Sequence, residues 1–266
     1  MTRPGPLQKL AAVIFLAVPG LAQADRAEKT VSYEYQGKTF EARLVYDDAE
    51  DDIRPGVLMV PNWMGPTDAS ADKAWRVAQD DYVVMMVDMY GTDTRPSNAD
   101  EASQAAAAIR ADVPMMRQRV DKALEVFRAQ AGSVPLDADR IAAIGFCFGG
   151  GVVLEQARGG TELAAAVSFH GNLNTPDTGA AANILTPLLV LHGADDPYVD
   201  QAAVAGFVAE MRNAGVEDWQ LHQFGGAVHS FTDPNANQPG QAQYNEQAAN
   251  RAFEMMEDLF GEVFRD

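Results

Sequence analysis

The only cysteine in the chain, Cys147, lies between two glycines in the pattern Gly145-x-Cys147-x-Gly149. Small residues on both sides are typical of a nucleophile held on a tight turn between a strand and a helix, because larger side chains would collide with neighbouring backbone. A following helix N-terminus favours a thiolate, and the backbone N–H of Phe148 is placed to stabilise an oxyanion. A lone buried cysteine is otherwise a small core residue. The glycine pattern instead predicts nucleophilic catalysis by Cys147.

A carboxylate and a histidine follow Cys147 in the chain order that such a nucleophile requires. Each follows the C-terminal end of its own predicted strand, which is the edge where active sites of open α/β sheets lie. We predict that His229 takes the thiol proton and that Asp196 orients the imidazole. Asp196, which precedes Pro197, is favoured over Asp195, whose alternative role is that of a loop cap or a solvated acid.

Three other histidines compete with His229 for the role of base. His222 lies inside a predicted strand and is interpreted as structural. His192 precedes the glycine of the acid loop and is predicted to support that loop. His170 ends a predicted strand near the site and is a candidate for the wall of a substrate pocket.

Short apolar segments alternate with helical segments from residue 56 onward, which predicts a mainly parallel sheet covered on both faces. The predicted strands are 56–60, 82–88, 140–146, 163–170, 187–193 and 219–224. The predicted helices are 69–80, 98–130, 149–158, 201–213 and 243–260, and Pro114 is expected to break or bend the second. An alternating segment before them predicts an antiparallel hairpin that turns at Gln36-Gly37. The predicted fold is a doubly wound, three-layer α/β sandwich led by this hairpin.

The composition and motifs exclude several other classes of function. Acidic residues outnumber basic ones by 38 to 20, giving a formal net charge of −18. This charge argues against nucleic-acid binding, because phosphate contacts need a basic surface. No serine lies in a G-x-S-x-G context, no cysteine–histidine cluster has zinc spacing, and no glycine-rich nucleotide loop follows an early strand. We therefore predict neither a metal ion nor an organic cofactor.

Residues 1–24 have the pattern of a secretory signal peptide. Arg3 and Lys9 give it a positive start, residues 10–21 are apolar, and residues 22–24 read Ala-Gln-Ala, a small-x-small cleavage site. The alternative is a membrane anchor, for which the apolar stretch is short. Cleavage would leave one domain, residues 25–266, in the periplasm or outside the cell and without a membrane partner.

Three segments together resemble the dienelactone hydrolase family of α/β hydrolases: GFCFGG (145–150), HGADDPYV (192–199) and AVHSF (227–231). MVPNWMG (59–65) and DMYG (88–91) add weaker matches, and the likeness covers essentially the whole chain after residue 24. The resemblance implies a small hydrolase of esters or lactones, favoured to be monomeric, that forms an acyl-thioester on a Cys-His-Asp triad. It also implies that the backbone N–H of Trp63 is the second oxyanion donor, beside that of Phe148.

Two positions depart from the family pattern. Members often carry a glutamate that contacts the resting thiol where this chain has Asn62, which becomes a candidate hydrogen-bond donor to the substrate. Members bind a substrate carboxylate with arginines, one of them shortly after the catalytic histidine, where this chain has Asp233. An acid there should repel an anionic substrate, so dienelactone itself is not expected to be the substrate. Arg95 is the nearby basic candidate, and its alternative is a surface position.

Candidates for an apolar pocket wall are Trp63, Met64, Tyr90, Tyr198 and Phe231, each of which could equally belong to the core.

Two other classes of function stay open: a non-catalytic binding protein on a hydrolase scaffold, and a redox-active thiol protein. A spoiled triad would favour the first, and a second, resolving cysteine would favour the second. The chain has a complete candidate triad and one cysteine, so ester hydrolysis is the leading prediction.

Overall fold

One mainly parallel sheet forms the middle layer of the protein. The structure, a computed structural model, describes Met1 and residues 25–49, 52–79 and 81–265, so the predicted signal peptide lies, apart from Met1, outside the described residues. The sheet strands found in this part are β1 (Arg26–Tyr35), β2 (Lys38–Asp47), β3 (Arg54–Val60), β4 (Val83–Met86), β5 (Leu136–Phe146), β6 (Ala166–Phe169), β7 (Leu188–Gly193) and β8 (Trp219–Phe224). Their order is β1-β2-β4-β3-β5-β6-β7-β8. Strand β2 pairs antiparallel with β1 and β4, and the other neighbouring pairs are parallel.

Helices cover both faces of the sheet. They are α1 (Asp68–Ala78), α2 (Ala99–Arg110), α3 (Val113–Arg128), α4 (Phe148–Arg158), α5 (Gln201–Ala214) and α6 (Glu246–Val263). Apolar side chains of α1 and α6 pack on one face, and those of α2, α3, α4 and α5 pack on the other. This arrangement confirms the predicted three-layer α/β sandwich. No helix among the described residues combines the length and apolar character needed to cross a membrane.

The N-terminal hairpin turns where the sequence predicts. Tyr35 pairs with Lys38, which leaves Gln36 and Gly37 as a two-residue turn. Both turn residues have positive φ angles, 48° and 74°. This is the pattern of a type I′ turn, whose twist matches the twist of the two strands it joins.

The segment predicted as one helix, 98–130, forms α2 and α3, and the break precedes the proline. Helix α2 ends at Arg110, and Asp112 caps α3 by accepting a hydrogen bond from the N–H of Met115 at 2.9 Å. Pro114 therefore lies in the first turn of α3, where its missing N–H would have no intrahelical partner.

Three smaller features differ from the sequence prediction. The strand predicted at 163–170 is reduced to β6, Ala166–Phe169. A 3₁₀ helix (Thr178–Asn183) and a pair of two-residue strands, β9 (Asn237–Gln238) and β10 (Ala242–Gln243), were not predicted. Elements this short carry no periodic pattern that a sequence could reveal.

The C-terminal ends of β5, β7 and β8 lie along one edge of the sheet, because these strands run parallel. Cys147 follows β5 directly, whereas Asp196 and His229 lie in the loops after β7 and β8. Only β6 separates β5 from β7 in the sheet. The topology therefore brings together three residues that are far apart in the sequence.

Candidate active site

Cys147 occupies a strained turn between β5 and α4. Its φ and ψ angles are 55° and −116°, and such a conformation costs a non-glycine residue about 1–3 kcal/mol unless its surroundings enforce it. A Cβ atom on Gly145 would overlap the carbonyl oxygen of Gly149, and one on Gly149 would overlap the carbonyl oxygen of Val60. Both glycines of the sequence pattern are therefore needed for the turn to form.

The structure brings Cys147, Asp196 and His229 into contact. His229 Nε2 is 3.0 Å from Cys147 Sγ, and His229 Nδ1 is 2.8 Å from Asp196 Oδ2. The second oxygen of Asp196 accepts hydrogen bonds from the backbone N–H of Tyr198 at 2.8 Å and of Val199 at 3.3 Å. These bonds hold the buried carboxylate in place, so it can fix the orientation and tautomer of the imidazole.

The residues considered as alternatives lie outside these contacts. Asp195 is exposed to solvent. His222 lies on β8, with its Nε2 3.3 Å from Gln220 Oε1. His192 is buried in β7 and is hydrogen bonded to neither the thiol nor the carboxylate. Within the part of the chain that the structure describes, no group of three or more His, Cys, Asp or Glu side chains is arranged to hold a metal ion.

The surroundings of the thiol favour a thiolate–imidazolium pair. Burial raises the pKa of the Cys147 thiol, but the hydrogen bond and the charge of His229 lower it. The N–H of Phe148 and the charge of Arg110 lower it further, so the net pKa lies below the ordinary thiol value. Burial lowers the pKa of His229, but its bonds to Asp196 and to the sulfur raise the pKa to about 10. The two shifts have opposite directions, and each favours the charged form of its group, the thiolate on sulfur and the imidazolium on the ring.

The two predicted oxyanion donors lie on segments that Tyr90 connects. The N–H of Phe148 faces the thiol. The Tyr90 hydroxyl donates a hydrogen bond to the carbonyl oxygen of Trp63 at 2.8 Å, and the Tyr90 ring stacks on Phe148 with 5.8 Å between centroids. Asn62 Oδ1 accepts the N–H of Met64 at 3.0 Å. Tyr90 and Asn62, both predicted pocket residues, thus make contacts that shape the loop around Trp63.

Three other predicted pocket residues differ in their surroundings. Arg95 binds within its own loop, donating to Asp88 Oδ2 at 2.8 Å and to a backbone carbonyl at 2.5 Å. Phe231 is fully buried among core side chains, so of its two predicted places, pocket wall or core, it occupies the core and presents no surface to a substrate. Tyr198 is 59% exposed, and its ring meets the ring of His229 edge-on at 5.2 Å. Tyr198 therefore lies on the solvent side of the imidazole.

His170, also predicted to line the pocket, is buried against the turn instead, with 2% of its surface exposed. Its Nδ1 accepts the backbone N–H of Cys147 at 3.1 Å, and its Nε2 is 2.8 Å from Thr232 Oγ1. Its ring also meets the rings of His229 and Phe231 edge-on, each at 5.2 Å. The structure thus corrects the predicted role of this histidine from contact with substrate to contact with the nucleophile's backbone.

Two basic side chains near the thiol were not predicted from the sequence. Lys73 of α1 places Nζ 4.5 Å from the centre of the Phe146 ring. Arg110 of α2 places its guanidinium 5.4 Å from the centre of the Phe148 ring. Burial lowers the pKa of Lys73, while the charge of the nearby Cys147 thiolate raises it. Neither basic residue belongs to a motif, because its position beside the thiol depends on how its helix packs on the sheet.

A cavity of about 90 Å³ adjoins the turn along α4. Its walls combine apolar, amide and charged groups: Arg110, Val113, Met116, Phe148, Gly151, Val152, Glu155, Asn172, Asn174 and Pro176. Because Phe148 is the residue next to Cys147, this cavity is the candidate space for part of a small substrate.

Comparison with known proteins shows the family of the chain. The sequence matches the model of the dienelactone hydrolase family over residues 40–264, a range that includes all three contacting residues. A solved structure described as a dienelactone hydrolase-like promiscuous phosphotriesterase from metagenomic libraries is 36% identical, with 91% of this chain and 99% of that chain covered and a TM-score of 0.83. A second solved structure, m3DLH, is 34% identical, with 90% and 98% covered and a TM-score of 0.82.

Among curated proteins, a carboxymethylenebutenolidase homolog from Mus musculus is 22% identical over 183 residues. These residues make up 68% of this chain and 72% of the mouse protein. The likeness to the two solved structures covers about nine tenths of this chain and is therefore not limited to the turn around the thiol.

Proposed function

The chain belongs to the dienelactone hydrolase family and is a hydrolase of esters or lactones, and on that premise we propose that it acts through an acyl-thioester on Cys147. The observation that carries this proposal is the pair of contacts at the strained turn. They are 3.0 Å from Cys147 Sγ to His229 Nε2 and 2.8 Å from His229 Nδ1 to Asp196 Oδ2. A nucleophile in contact with a base, and a base in contact with an orienting acid, form the arrangement needed for acyl transfer.

In the acylation step, the thiolate sulfur of Cys147 attacks the carbonyl carbon of the ester or lactone. The new C–S bond forms a tetrahedral intermediate, whose oxyanion we assign to the backbone N–H groups of Phe148 and Trp63. The C–O bond then breaks, and the imidazolium of His229 gives its Nε2 proton to the leaving oxygen. The products of this step are an alcohol and a thioester on the enzyme.

In the deacylation step, a water molecule attacks the thioester carbonyl. His229 is now neutral, and its Nε2 accepts a proton from this water. The C–S bond breaks, a carboxylic acid leaves, and the thiolate–imidazolium pair is restored. Asp196 stays in contact with His229 Nδ1 and stabilises the ring when the ring is charged.

The charges near the thiol bear on the substrate class. Lys73 and Asp233 line one small cavity beside Asn62, and the charge of Asp233 raises the pKa of Lys73. Because these opposite charges offset each other, this side of the site has no surplus positive charge for a substrate carboxylate. We propose that neutral esters and lactones are preferred over anionic ones.

The test is hydrolysis of p-nitrophenyl acetate, butyrate and octanoate, γ-butyrolactone, and a neutral and an anionic lactone of equal ring size. The purified chain is compared with Cys147→Ala and Cys147→Ser under reducing conditions. We expect turnover by the wild type and a loss of about 10³-fold or more in Cys147→Ala. Intact-mass measurement during turnover should show the acyl group on the wild type alone.

Equal activity of the wild type and Cys147→Ala would refute the thioester mechanism. A wild type without activity on the whole panel would instead favour a binding protein on a hydrolase scaffold. Oxidation of Cys147 that changes binding of a ligand without any turnover would favour the redox alternative.

A second candidate activity is hydrolysis of phosphotriesters, because a structure 36% identical to this chain is described as a promiscuous phosphotriesterase. The same sulfur would attack phosphorus, and the aryl oxide would leave with a proton from His229. Water that gives a proton to the neutral His229 would then attack phosphorus and break the S–P bond, which restores the thiolate. Diethyl p-nitrophenyl phosphate added to the panel tests this activity. Release of p-nitrophenol that does not depend on Cys147 would count against it.

We further propose that the chain is exported and that the mature protein is a monomer. The proposal of export rests on the signal-peptide pattern of residues 1–24. In a bacterial host, the protein recovered from the periplasm should begin at Asp25 by intact mass, and light scattering should give the mass of one chain. A cytoplasmic product that keeps residues 1–24 would refute export, and the mass of two chains would refute the monomer.

A further inference from the structure

His170 connects two segments that carry different members of the triad. At one end, its Nδ1 accepts the backbone N–H of Cys147 at 3.1 Å, a donor that it shares with the carbonyl oxygen of Phe169 at 3.0 Å. At the other end, its Nε2 is 2.8 Å from Oγ1 of Thr232, which lies three residues after His229 in the same loop. One imidazole therefore joins the turn after β5 to the loop after β8, across the intervening ends of β6 and β7.

The hydrogen bonds define the tautomer of this ring. Nδ1 faces an N–H donor, so it must be the unprotonated, accepting nitrogen. The proton of the neutral ring is then on Nε2, which donates to Thr232 Oγ1. Burial and the positive charge of His229 both lower the pKa of His170 well below its ordinary value, so the ring stays neutral in the working pH range.

The surroundings of His170 hold it in this position. His170 and Thr232 are 2% and 1% exposed, so water does not compete for their hydrogen bond. The backbone N–H of His170 donates to the carbonyl oxygen of Leu191 at 2.8 Å, and its φ angle is 41°, in the left-handed region. A left-handed conformation at a non-glycine residue costs free energy and is kept where the structure requires it.

We propose that His170 is a positioning residue whose bridge from the Cys147 N–H to the Thr232 hydroxyl sets the distance between the nucleophile and the base. The bridge fixes the turn that carries the sulfur relative to the loop that carries the imidazole. The edge-on contact of the two histidine rings, at 5.2 Å between centroids, adds a second constraint on the tilt of His229. This inference rests on the triad mechanism proposed above.

His192 shows that burial of a histidine near this edge of the sheet does not by itself create such a bridge. It is 1% exposed on the neighbouring strand β7, but neither ring nitrogen has a direct side-chain partner among the described residues. What distinguishes His170 is that both of its nitrogens are bonded, each to a segment that holds one member of the triad.

The test removes the hydrogen bond between His170 and Thr232 from either of its two residues. Thr232→Val removes the hydroxyl and keeps the shape, Thr232→Ser keeps the hydroxyl, and His170→Asn removes the end that reaches Thr232. Asparagine is chosen because it tolerates the left-handed conformation at this position. We expect kcat to fall about 10- to 100-fold in Thr232→Val and in His170→Asn with little change in KM, because the reacting groups are misplaced and not removed.

Three further readouts separate positioning from loss of stability. Thr232→Ser should restore kcat. The double variant His170→Asn/Thr232→Val should lose no more than either single variant, because both break the same bridge. The thiolate absorbance at 240 nm should titrate at higher pH in Thr232→Val than in the wild type, because a looser contact with His229 lowers the pKa of Cys147 less.

Thr186→Val is the matched control. Thr186 is also 2% exposed, and its hydroxyl accepts the N–H of Leu163 at 3.2 Å and donates to the carbonyl oxygen of Thr161 at 3.1 Å. It should lower the unfolding midpoint as Thr232→Val does but leave kcat and the thiolate titration unchanged.

Wild-type values of kcat and of the titration midpoint in Thr232→Val, or equal losses in Thr232→Val and Thr232→Ser, would overturn the proposal. His170→Asn gives the same decision from the other residue of this hydrogen bond if Thr232→Val does not fold. The titration needs no substrate, so an unchanged midpoint overturns the bridge even in the absence of turnover. Failure of the proposed function is a different result, namely a wild type that hydrolyses nothing on the panel.

Discussion

The two ends of α4 hold two buried polar networks that differ in whether a proton can move. At the N-terminus, a thiol meets an imidazole at 3.0 Å. At the C-terminus, Arg158 donates two hydrogen bonds of 2.8 Å to Glu210 and one of 3.1 Å to Glu155, and Arg117 donates one of 2.7 Å to Glu155. Each charged side chain of the second network contacts one of opposite charge, whereas the first network shares one proton between sulfur and nitrogen.

The dipole of α4 suits both networks. The partial positive charge at the helix N-terminus stabilises a thiolate on Cys147, and the partial negative charge at the C-terminus stabilises the guanidinium of Arg158. The guanidinium does not lose its proton in proteins, so the second network is fixed. A thiol and an imidazole have pKa values that their surroundings can bring together or reverse, so a proton can move between them. Burial of charged groups therefore creates reactivity only when the partners can exchange a proton.

The largest effect is expected from Asp196→Asn, which replaces the carboxylate of the first network with an amide of nearly the same shape. The amide oxygen can still accept the N–H groups of Tyr198 and Val199, but its NH₂ group then faces His229 Nδ1 and favours the wrong tautomer. We expect kcat to fall about 10³- to 10⁴-fold with a small change in stability. Steady-state kinetics and urea denaturation measure the two quantities.

Asp195→Asn is the control for this variant, because its exposed carboxylate precedes Asp196 directly and makes no contact with the imidazole. Its kcat should stay at the wild-type value. Equal losses in the two variants would mean that the whole loop, and not the Asp196 carboxylate, sets the activity.

The second effect is expected in the fixed network, from Arg158→Met. Arg158 is 1% exposed, and its removal leaves Glu210 buried without its bidentate partner. We expect the free energy of unfolding to fall by about 3–5 kcal/mol, measured by urea denaturation. The folded fraction should keep a kcat close to that of the wild type, because no triad contact is lost.

The double variant Arg158→Met/Glu210→Met sharpens this prediction. It removes one positive and one negative charge, and Arg117 with Glu155 remains a neutral pair. It should therefore be more stable than Arg158→Met alone. A large loss of kcat in a fully folded Arg158→Met would contradict the separation of the two networks along α4.

The sequence predicts the N-terminal network well and the C-terminal one not at all. Cys147, Asp196 and His229 each follow a strand that is itself recognisable, and parallel strands bring their C-terminal ends to one edge. Arg158 and Glu210 lie on separate helices, 52 residues apart. No local pattern indicates that these two helices pack with those side chains facing each other, so the fixed network required the structure.

The residues around the triad show the same limit. His170 was predicted to be near the site because it ends a strand, but its bond to Thr232 depends on the order of β5, β6, β7 and β8 in the sheet. The sequence left Phe231 equally open to the pocket wall and to the core, and its side chain lies in the core. Sequence spacing therefore predicts which loop a residue belongs to, but not which way its side chain points.

A third effect is expected on the charge state of the first network. His229→Asn removes the main groups that lower the pKa of Cys147 and leaves burial, which raises it. The thiolate should therefore form at higher pH than in the wild type, as measured by absorbance at 240 nm. His222→Asn on the edge strand is the control, and its titration should match the wild type. A wild-type midpoint in His229→Asn would show that another group holds the thiolate.

The pKa shifts of Cys147 and His229 also predict how kcat/KM of the wild type depends on pH. The thiolate forms as the pH rises through the lowered pKa of Cys147, so kcat/KM should rise there. The imidazolium of His229 is lost as the pH rises through about 10, so kcat/KM should fall there, because the leaving oxygen no longer receives a proton. A profile that rises only near the ordinary pKa of a thiol would contradict a preformed ion pair.

The smallest effect is expected from Arg110→Gln, which removes a charge near the thiol but no contact of the triad. Arg110 is the last among the groups that lower the pKa of Cys147, so its loss should raise that pKa less than His229→Asn does. The loss in kcat/KM should be about two- to threefold below the thiol pKa and should disappear at higher pH. Arg128→Gln is the matched control, because Arg128 is also exposed in the last turn of its helix but lies just before the opposite end of β5.

The salt dependence of the thiolate midpoint distinguishes the effect of the exposed Arg110 charge from that of the partly buried contact with His229. Added salt should screen Arg110, which is exposed, and raise the thiolate midpoint of the wild type toward that of Arg110→Gln. It should leave the midpoint of Arg110→Gln nearly unchanged, because the remaining bond to His229 is at 3.0 Å and partly buried. Equal salt dependence in both proteins would show that Arg110 does not act on the thiol through its charge. The N-terminal network would then be as independent of surface charge as the arginine–glutamate network at the other end of α4.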